Sequence, residues 1–150
     1  MYKRQNADGA LKSKSITKYD GKGNQIEWTF YNVDGDTSWK NIYKYNDKGN
    51  MIEEAHYGVK GVFISKEIYK YDATENMIEQ AVYDSSGALI SKLIGKYDGK
   101  GNQIEWTCYN GDLSWKTIYK YDNNGNRIEE IAYDGKGVLT GITESSYTYY

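Results

Sequence analysis

The chain repeats itself at a nearly fixed interval. A Lys-Tyr-Asp or Lys-Tyr-Asn triplet recurs five times, and its tyrosines, spaced by 26, 26, 26 and 24 residues, are Tyr19, Tyr45, Tyr71, Tyr97 and Tyr121. A fixed period in this range is typical of an array of supersecondary units that bury apolar surface against neighbouring copies. We therefore expect a single repeat array over residues 1-150, with five repeats at 18-43, 44-69, 70-95, 96-119 and 120-145.

Each repeat contains two turn signals. The first, Asp/Asn-x-x-Gly-Asn, begins at Asp20, Asn46, Asp98 and Asp122, and a looser Asp/Asn-x-x-Gly begins at Asn32, Asp84 and Asp134. An Asp or Asn side chain at the first position caps the turn, and Gly three residues later adopts the left-handed conformation of a type I turn with a bulge. Glu75 replaces this Gly in one copy, at a predicted cost of about 1 kcal/mol.

The segments between the turns predict β-strands. They are short, alternating and rich in aromatic and β-branched residues, as in residues 25–31 and 38–45. The chain has no proline, which fits strands whose N–H groups are nearly all needed for pairing. The prediction is an all-β repeat array of about twelve antiparallel strands in a hairpin meander, forming a curled single-layer sheet or a barrel-like one.

A simple register predicts how side chains divide between the two faces. If Lys18 is opposite Ile26, one face carries one isoleucine per strand. The other face then carries two tyrosine ladders and a row of glutamates: Glu27, Glu53, Glu79, Glu105 and Glu129. On this register Trp28 lies on the isoleucine face and Trp39 on the tyrosine face.

The tryptophans are the strongest candidates for a binding site. Equivalent positions of other repeats hold Glu or Gln in place of Trp28, and Ser in place of Trp39, so the indoles are not repeated scaffold elements. Exposed Trp and Tyr on a rigid sheet can stack on sugar rings or on the apolar surface of a protein partner, although Trp that merely covers its neighbours is the structural alternative. The predicted ligand-binding residues are Trp28, Trp39 and Tyr43 in one copy, and Trp106, Trp115 and Tyr119 in the other.

Catalytic and metal sites are not predicted. His56 and Cys108 occupy a column that reads Phe30, His56, Val82, Cys108 and Ala132, so both are variants at a tolerant strand position. The glutamate row recurs in every repeat, which indicates a ladder facing lysine or tyrosine rather than a hydrolytic carboxylate pair. The Asp-x-x-Gly-Asn turns place Gly too early for a calcium loop. No cofactor is predicted.

Composition limits the partners. The chain has 19 basic and 21 acidic residues, interspersed, so no nucleic-acid footprint is expected. No apolar run approaches the length of a membrane helix, so membrane insertion is not expected. One cysteine excludes an internal disulfide framework.

The run Tyr119-Lys-Tyr-Asp-Asn-Asn-Gly-Asn-Arg-Ile-Glu129, with Tyr133-Asp134 after it, resembles the YD (RHS-like) repeats of bacterial surface and secreted proteins. The resemblance covers residues 10 to 140. It implies β-hairpin strips that spiral into shells around a cargo, or extracellular arrays often described as carbohydrate-binding. The shell-forming members are much longer and carry an autoproteolytic region that has no counterpart here.

These observations predict a non-enzymatic, secreted or cell-surface module that binds glycans through exposed aromatic side chains. The alternative is a structural spacer, or a protein-interaction or shell-forming scaffold, with no small ligand. A polysaccharide or a protein is the expected partner, and self-association through exposed strand edges is a further expectation.

Overall fold

The computed structural model describes residues 2–5 and 11–148, with side chains from residue 13 onward. The strands are β1 Tyr2–Gln5, β2 Leu11–Tyr19, β3 Gln25–Tyr31, β4 Thr37–Tyr45, β5 Met51–Tyr57, β6 Phe63–Tyr71, β7 Met77–Asp84, β8 Leu89–Tyr97, β9 Gln103–Asn110, β10 Asp112–Tyr121, β11 Arg127–Asp134 and β12 Leu139–Glu144. A short 3-10 turn, Val59–Gly61, lies between β5 and β6.

The strands follow one another in chain order from β1 to β12, and the ladders within each compact unit described below are antiparallel. The predicted all-β meander of about twelve antiparallel strands is therefore confirmed. All described strands belong to one sheet, in which each is hydrogen-bonded to its neighbours in chain order.

The chain divides into two compact units. The first comprises residues 1–68 and 82–88, and the second comprises residues 69–81 and 89–150. The first contains β1 to β5 and most of β6, and the second contains β8 to β12. The boundaries of the five sequence repeats stay a prediction.

The turns have the predicted geometry. The carboxylate Oδ1 of Asp20 accepts hydrogen bonds from the backbone N–H of Lys22 and of Asn24, both at 2.9 Å. Gly23 has a φ of +88° and donates its N–H to the carbonyl of Asp20 at 3.2 Å. Glu75 adopts a φ of +70° at the equivalent position, so the predicted left-handed non-glycine residue is present.

The predicted division of side chains between faces is wrong, because the hairpins within each compact unit have a further bulge two residues after the turn. Tyr19 is opposite Gln25, but Lys18 is opposite Glu27 rather than Ile26. Ile26 is the extra residue of the bulge. One inserted residue moves every following side chain of β3 to the other face.

Each observed face carries residues that were predicted to lie on different faces. In the first unit, Glu27 is opposite Lys18 on β2 and Ile42 on β4, so isoleucine and glutamate share a face. The two tyrosine rows lie on different faces of the sheet. Tyr31, which is opposite Lys14, lies on the same face as Glu27, whereas Tyr45 lies on the opposite face. The glutamate face is hereafter the one with Glu27 and Glu53, or Glu105 and Glu129 in the second unit. The tryptophan face is the opposite one.

The sheet has a thin core. The buried side chains of the described residues are small, such as Ala55, Ala81 and Thr29, and none of the large ones is fully buried. Tyrosine hydroxyls instead donate to backbone carbonyls at the bulges. Such bonds run from Tyr45 to Gln25 at 2.8 Å, from Tyr97 to Met77 at 2.9 Å and from Tyr121 to Gln103 at 2.8 Å. Stability thus comes largely from cross-strand pairs and these hydroxyl bonds.

Candidate ligand-binding site

The first aromatic platform consists of Trp28, Trp39 and Tyr43 on the tryptophan face of the first unit. Trp28 on β3 is opposite Asn41 on β4, and Trp39 and Tyr43 lie two positions to either side of Asn41. Because side chains two apart on a strand share a face, all three rings lie on one side of the sheet. Trp39 is 55% exposed, whereas Trp28 and Tyr43 are half-buried.

The prediction that Trp28 and Trp39 lie on opposite faces is therefore wrong. The cause is again the bulge at Ile26, which brings Trp28 to the face of Trp39. The ring of Phe30 stacks beside that of Trp28 at a centroid distance of 6.3 Å, which extends the platform along β3. An open groove of about 470 Å³ continues from Tyr43 past Ile26 to the turns.

The second aromatic platform repeats this arrangement in the second unit. Trp106 on β9 is opposite Thr117 on β10, and Trp115 and Tyr119 lie two positions to either side. Trp115 is 37% exposed and Trp106 is half-buried. The chain thus presents two copies of one arrangement, each with one half-buried and one exposed indole.

A small residue lies across from each half-buried indole. Thr17 is opposite Trp28, and Gly95 is opposite Trp106. A Cβ atom added to Gly95 would lie 2.5 Å from Cζ3 of Trp106, so the indole covers the glycine. Where the residue opposite is glutamate instead of this Trp, the position equivalent to Gly95 holds tyrosine: Tyr43 is opposite Glu54, and Tyr119 is opposite Glu130. Trp28 and Trp106 are therefore packing elements as well as parts of the platforms.

A polar cluster borders the first platform. The Asn41 amide nitrogen donates to Glu54 Oε1 at 3.0 Å and lies 3.3 Å from the Tyr43 hydroxyl. His56 Nδ1 lies 3.3 Å from Asn41 Oδ1, and its Nε2 lies 3.8 Å from Glu67 Oε1. This group supplies hydrogen-bonding atoms next to the indoles, as polar groups do around aromatic surfaces in ligand sites.

Sequence reasoning misses this cluster. It interprets His56 as a variant at a tolerant position and gives Glu54 and Glu67 no role in binding. One signal in the sequence could have indicated part of this cluster: side chains alternate along β5, so Glu54 must lie on the face opposite the Glu53 ladder. Only the observed register places Asn41 opposite Trp28 and brings Glu54 and His56, on the next strand, to the same face.

The polar surroundings of the second platform differ. Glu130 is opposite Tyr119, and Arg127 Nη1 lies 3.4 Å from Glu130 Oε2. The Arg127 guanidinium also lies over the Tyr119 ring at 5.2 Å. Ala132 takes the place of His56, and Thr143 takes the place of Glu67. At the second platform the carboxylate of Glu130 is therefore matched by a guanidinium.

The glutamate row is a ladder of ion pairs. Glu27 lies 2.9 Å from Lys18 and 3.4 Å from Lys40, and Glu79 lies within 2.8 Å of both Lys70 and Lys92. The hydrogen bond from Lys18 holds the pKa of Glu27 below its usual range, although burial opposes this. Ionised glutamates held between lysines do not offer the raised pKa of a general acid. This arrangement agrees with the predicted ladder role.

The described residues give little support for a reactive cysteine or a metal site. Cys108 is buried in β9, where it is opposite Leu93 and Trp115. No group of three or more metal-binding side chains with suitable geometry occurs within residues 13–148. Within the described part of the chain, no helix has the length and apolarity to cross a bilayer.

Comparison with known proteins identifies the fold but no family. No family model matches the chain, and no curated protein matches it. Among solved structures, the chain is similar to the crystal structure of TcdB2-TccC3-TEV, with a TM-score of 0.56 at 13% sequence identity. A second similar structure, the crystal structure of TcdB2-TccC3, also has a TM-score of 0.56 at 13% sequence identity.

These similarities concern a small part of much longer proteins. They cover 95% of this chain but only 9% and 10% of those chains. At this identity the likeness shows the fold alone. The chain therefore shares its hairpin-repeat architecture with a segment of the TcdB2-TccC3 proteins.

Proposed function

We propose that this chain is a non-catalytic repeat module whose two aromatic platforms bind a polysaccharide. The observation that carries the proposal is the shared face of Trp28, Trp39 and Tyr43, repeated in Trp106, Trp115 and Tyr119. An exposed indole beside a second indole and a tyrosine is an unusual surface unless it contacts a ligand or partner. Sugar rings present apolar C–H faces that stack on such aromatic surfaces.

The dimensions favour a chain of sugars over a single one. Trp39 and Tyr43 are four residues apart on β4, which corresponds to roughly 13 Å along the strand. One hexose ring cannot cover both side chains. Asn41 and Glu54, which lie between and beside them, offer hydrogen-bonding atoms for sugar hydroxyl groups.

The proposal includes a location outside the cell or at its surface, where the proteins that these repeats resemble are found and where many polysaccharides are exposed. The absence of catalysis is part of the same proposal. The glutamates that recur in every repeat are engaged with lysines, and the platforms contain no nucleophile paired with a base.

A purely structural role is the second candidate. It is favoured by the fold similarity to the TcdB2-TccC3 proteins, in which the matching segment is part of a much larger chain. A protein partner would then dock on the aromatic face or pair with an exposed edge strand. The edge strand β12 is exposed along its length, including Leu139 and Ile142.

Affinity electrophoresis separates the two candidates. The intact chain is run through gels containing cellulose derivatives, chitin derivatives, xylan or mannan, and one of these should retard it. Trp39→Ser and Trp115→Ser should each reduce the retardation. Serine is a matched replacement, because Ser65 occupies the column of Trp39 in β6. Trp39→Phe, which keeps an aromatic ring, should retain most binding.

Two results of the same experiment would contradict the proposal. If no polysaccharide retards the chain, or if a variant with both Trp39→Ser and Trp115→Ser is retarded as strongly as the intact chain, the platforms do not bind glycans. The structural role would then be preferred.

A further inference from the structure

The strand β12 forms one edge of the sheet but has the register of an inner strand. It is hydrogen-bonded to β11 on one side, and among the described strands none lies on its other side. All six of its residues are exposed. Tyr147, which follows β12, donates its hydroxyl to the Arg127 carbonyl at 3.2 Å, just as Tyr45 at the end of β4 donates to that of Gln25. An edge of this kind presents backbone N–H and C=O groups with which a further strand can pair.

One position of β12 differs from the inner strands. Glu129 of β11 is opposite Glu144, whereas Glu27 of β3 is opposite Ile42, so Glu144 stands where β4 has isoleucine. In the inner strands this isoleucine is paired with an uncharged residue of the next strand. These pairs are Ile16 with Thr29, Ile42 with Ala55, Ile94 with Thr107 and Ile118 with Ile131. A strand that pairs with β12 in the same register must instead lie opposite a carboxylate.

Negative charge is in excess at this edge. Glu144 is directly opposite Glu129, and like charges at opposite positions destabilise a strand pair. Glu129 lies 2.7 Å from Lys120 on β10, but the position that holds Lys40 in β4 holds Ile142 in β12. Within residues 13–148, no ion pair involves Glu144. A cation on the open side of β12 would therefore be favourable.

Positive charge is in excess at the other edge. The outermost strand there is β1, and its Lys3 is opposite Lys14 of β2. Lys14 precedes Lys40 by one repeat period, and Lys40 is opposite Thr29, so Lys3 stands where β3 has this threonine. The two edge residues that depart from the inner pattern, Glu144 and Lys3, therefore have opposite charges. They also occupy the two positions that are paired with each other inside the sheet.

We infer that copies of this chain associate head to tail, with β12 of one copy pairing antiparallel with β1 of the next. In the register of β4 and β5, Glu144 would be directly opposite Lys3 of the next copy. Opposite charges at such positions stabilise a strand pair, so this contact would offset the like-charge pairs at both edges. The contact uses two different edges, so association continues beyond the dimer. The inference identifies the partner of the exposed β12 edge and is independent of polysaccharide binding.

Sedimentation velocity of the intact chain, without any sugar, tests this inference. At low ionic strength the average mass should rise with protein concentration and pass that of a dimer. Glu144→Lys and Lys3→Glu should each weaken the association about tenfold, because each places like charges across the contact. Neither change should disrupt the fold, since each replaces a like-charge pair within the chain by opposite charges. Circular dichroism of both variants checks this.

Mixing the two variants separates the contact from other effects of charge. In an equimolar mixture, each contact between unlike variants joins opposite charges, either the original pair or the exchanged one. The mixture should therefore associate about as strongly as the intact chain, and so should a chain that carries both substitutions. Lys100→Glu changes the net charge as Lys3→Glu does, but it lies in an exposed turn between β8 and β9 and should leave association unchanged. Added salt should weaken the association, because it screens exposed charges.

Several results would overturn the inference. A chain that stays monomeric at every concentration forms no such contact, and a dimer that does not grow would indicate that one edge pairs with itself. Stronger association of Glu144→Lys would show that the glutamate keeps the edge free, as charged residues do on many edge strands. Failure of the mixture to recover association would show that Glu144 and Lys3 do not meet. None of these results bears on retardation by polysaccharides, which tests the proposed function separately.

Discussion

Two residues show how local variation is accommodated within the repeat. Gly95 replaces a tyrosine of other repeats and lies beneath the Trp106 indole. Glu75 replaces the turn glycine and keeps its left-handed backbone. In the first case a neighbour enforces the glycine, and in the second the turn tolerates a residue that strains it.

Gly95→Ala should destabilise the protein. The added methyl group would approach Trp106 Cζ3 to 2.5 Å and the Met77 carbonyl oxygen to 2.9 Å, so the strands or the indole must shift. We expect a loss of roughly 1–3 kcal/mol in the free energy of unfolding, measured by urea denaturation. Gly141→Ala is the control, because no atom lies within 4 Å of the place that its methyl group would occupy. An equal effect of both substitutions would contradict this packing.

Glu75→Gly should stabilise the protein relative to Glu75→Ala. Both variants remove the glutamate side chain, but only glycine adopts a φ of +70° without a steric penalty. The difference between their unfolding free energies should be about 1 kcal/mol in favour of glycine. Equal stability of the two variants would show that the turn carries no backbone strain.

At the scale of the strands and turns, each hairpin is fixed by hydrogen bonds that recur from repeat to repeat. Asp or Asn caps one turn, and a tyrosine hydroxyl from the following strand pair reaches the carbonyl at the bulge. Tyr97→Phe should therefore cost about 1 kcal/mol, since it removes a half-buried bond of 2.9 Å to Met77. Tyr19→Phe, at an exposed member of the same column, should change stability little. Thermal or urea unfolding measures both, and the reverse order would contradict the assigned role.

The capped turns also predict loss of stability in acid. Hydrogen bonds from Asn24 and Asn102 side chains hold the pKa values of Asp20 and Asp98 below their usual range. Because the folded pKa is lowered, this contribution is complete above the unfolded pKa of about 3.9. It is lost as the pH falls through that value and through the lower folded pKa.

Melting temperature measured from neutral pH to about pH 2 should fall at the acid end for this reason. Asp98→Asn should weaken this acid dependence without disrupting the turn. Asn46 already occupies the same turn position and accepts the same bonds from Lys48 and Asn50. An acid profile identical to that of the unmodified chain would show that Asp98 makes no contribution.

The same elements show what the sequence can and cannot predict. Spacing and turn chemistry are sufficient for the hairpins, because Asp, Asn and Gly act locally. The bulge at Ile26 is additional to the one that the turn signal predicts, and that single residue reverses the face of Trp28. Comparison of repeats singles out the six aromatic residues as candidates. Their shared face, and the cluster of Asn41, Glu54, His56 and Glu67, depend on long-range register, which no local pattern reveals.

At the scale of the whole molecule, the proposed binding depends on residues that differ between the repeats of a regular sheet. The repeats supply a thin scaffold of paired strands, and two of them carry the paired tryptophans. If each platform binds the same polysaccharide, as proposed, the second contact would add affinity through effective concentration.

The central claim is tested most directly by calorimetric titration with the polysaccharide that the gels select. The intact chain should show two sites, Trp39→Ser and Trp115→Ser should each show one, and the double variant should show none. Unfolding free energies of these variants should fall by no more than about 2 kcal/mol, because Trp39 is 55% exposed and Trp115 37% exposed, and only the covered part of each indole stabilises the sheet. Unchanged stoichiometry, together with a loss of several kcal/mol in stability, would show that the exposed indoles support the fold and bind no ligand.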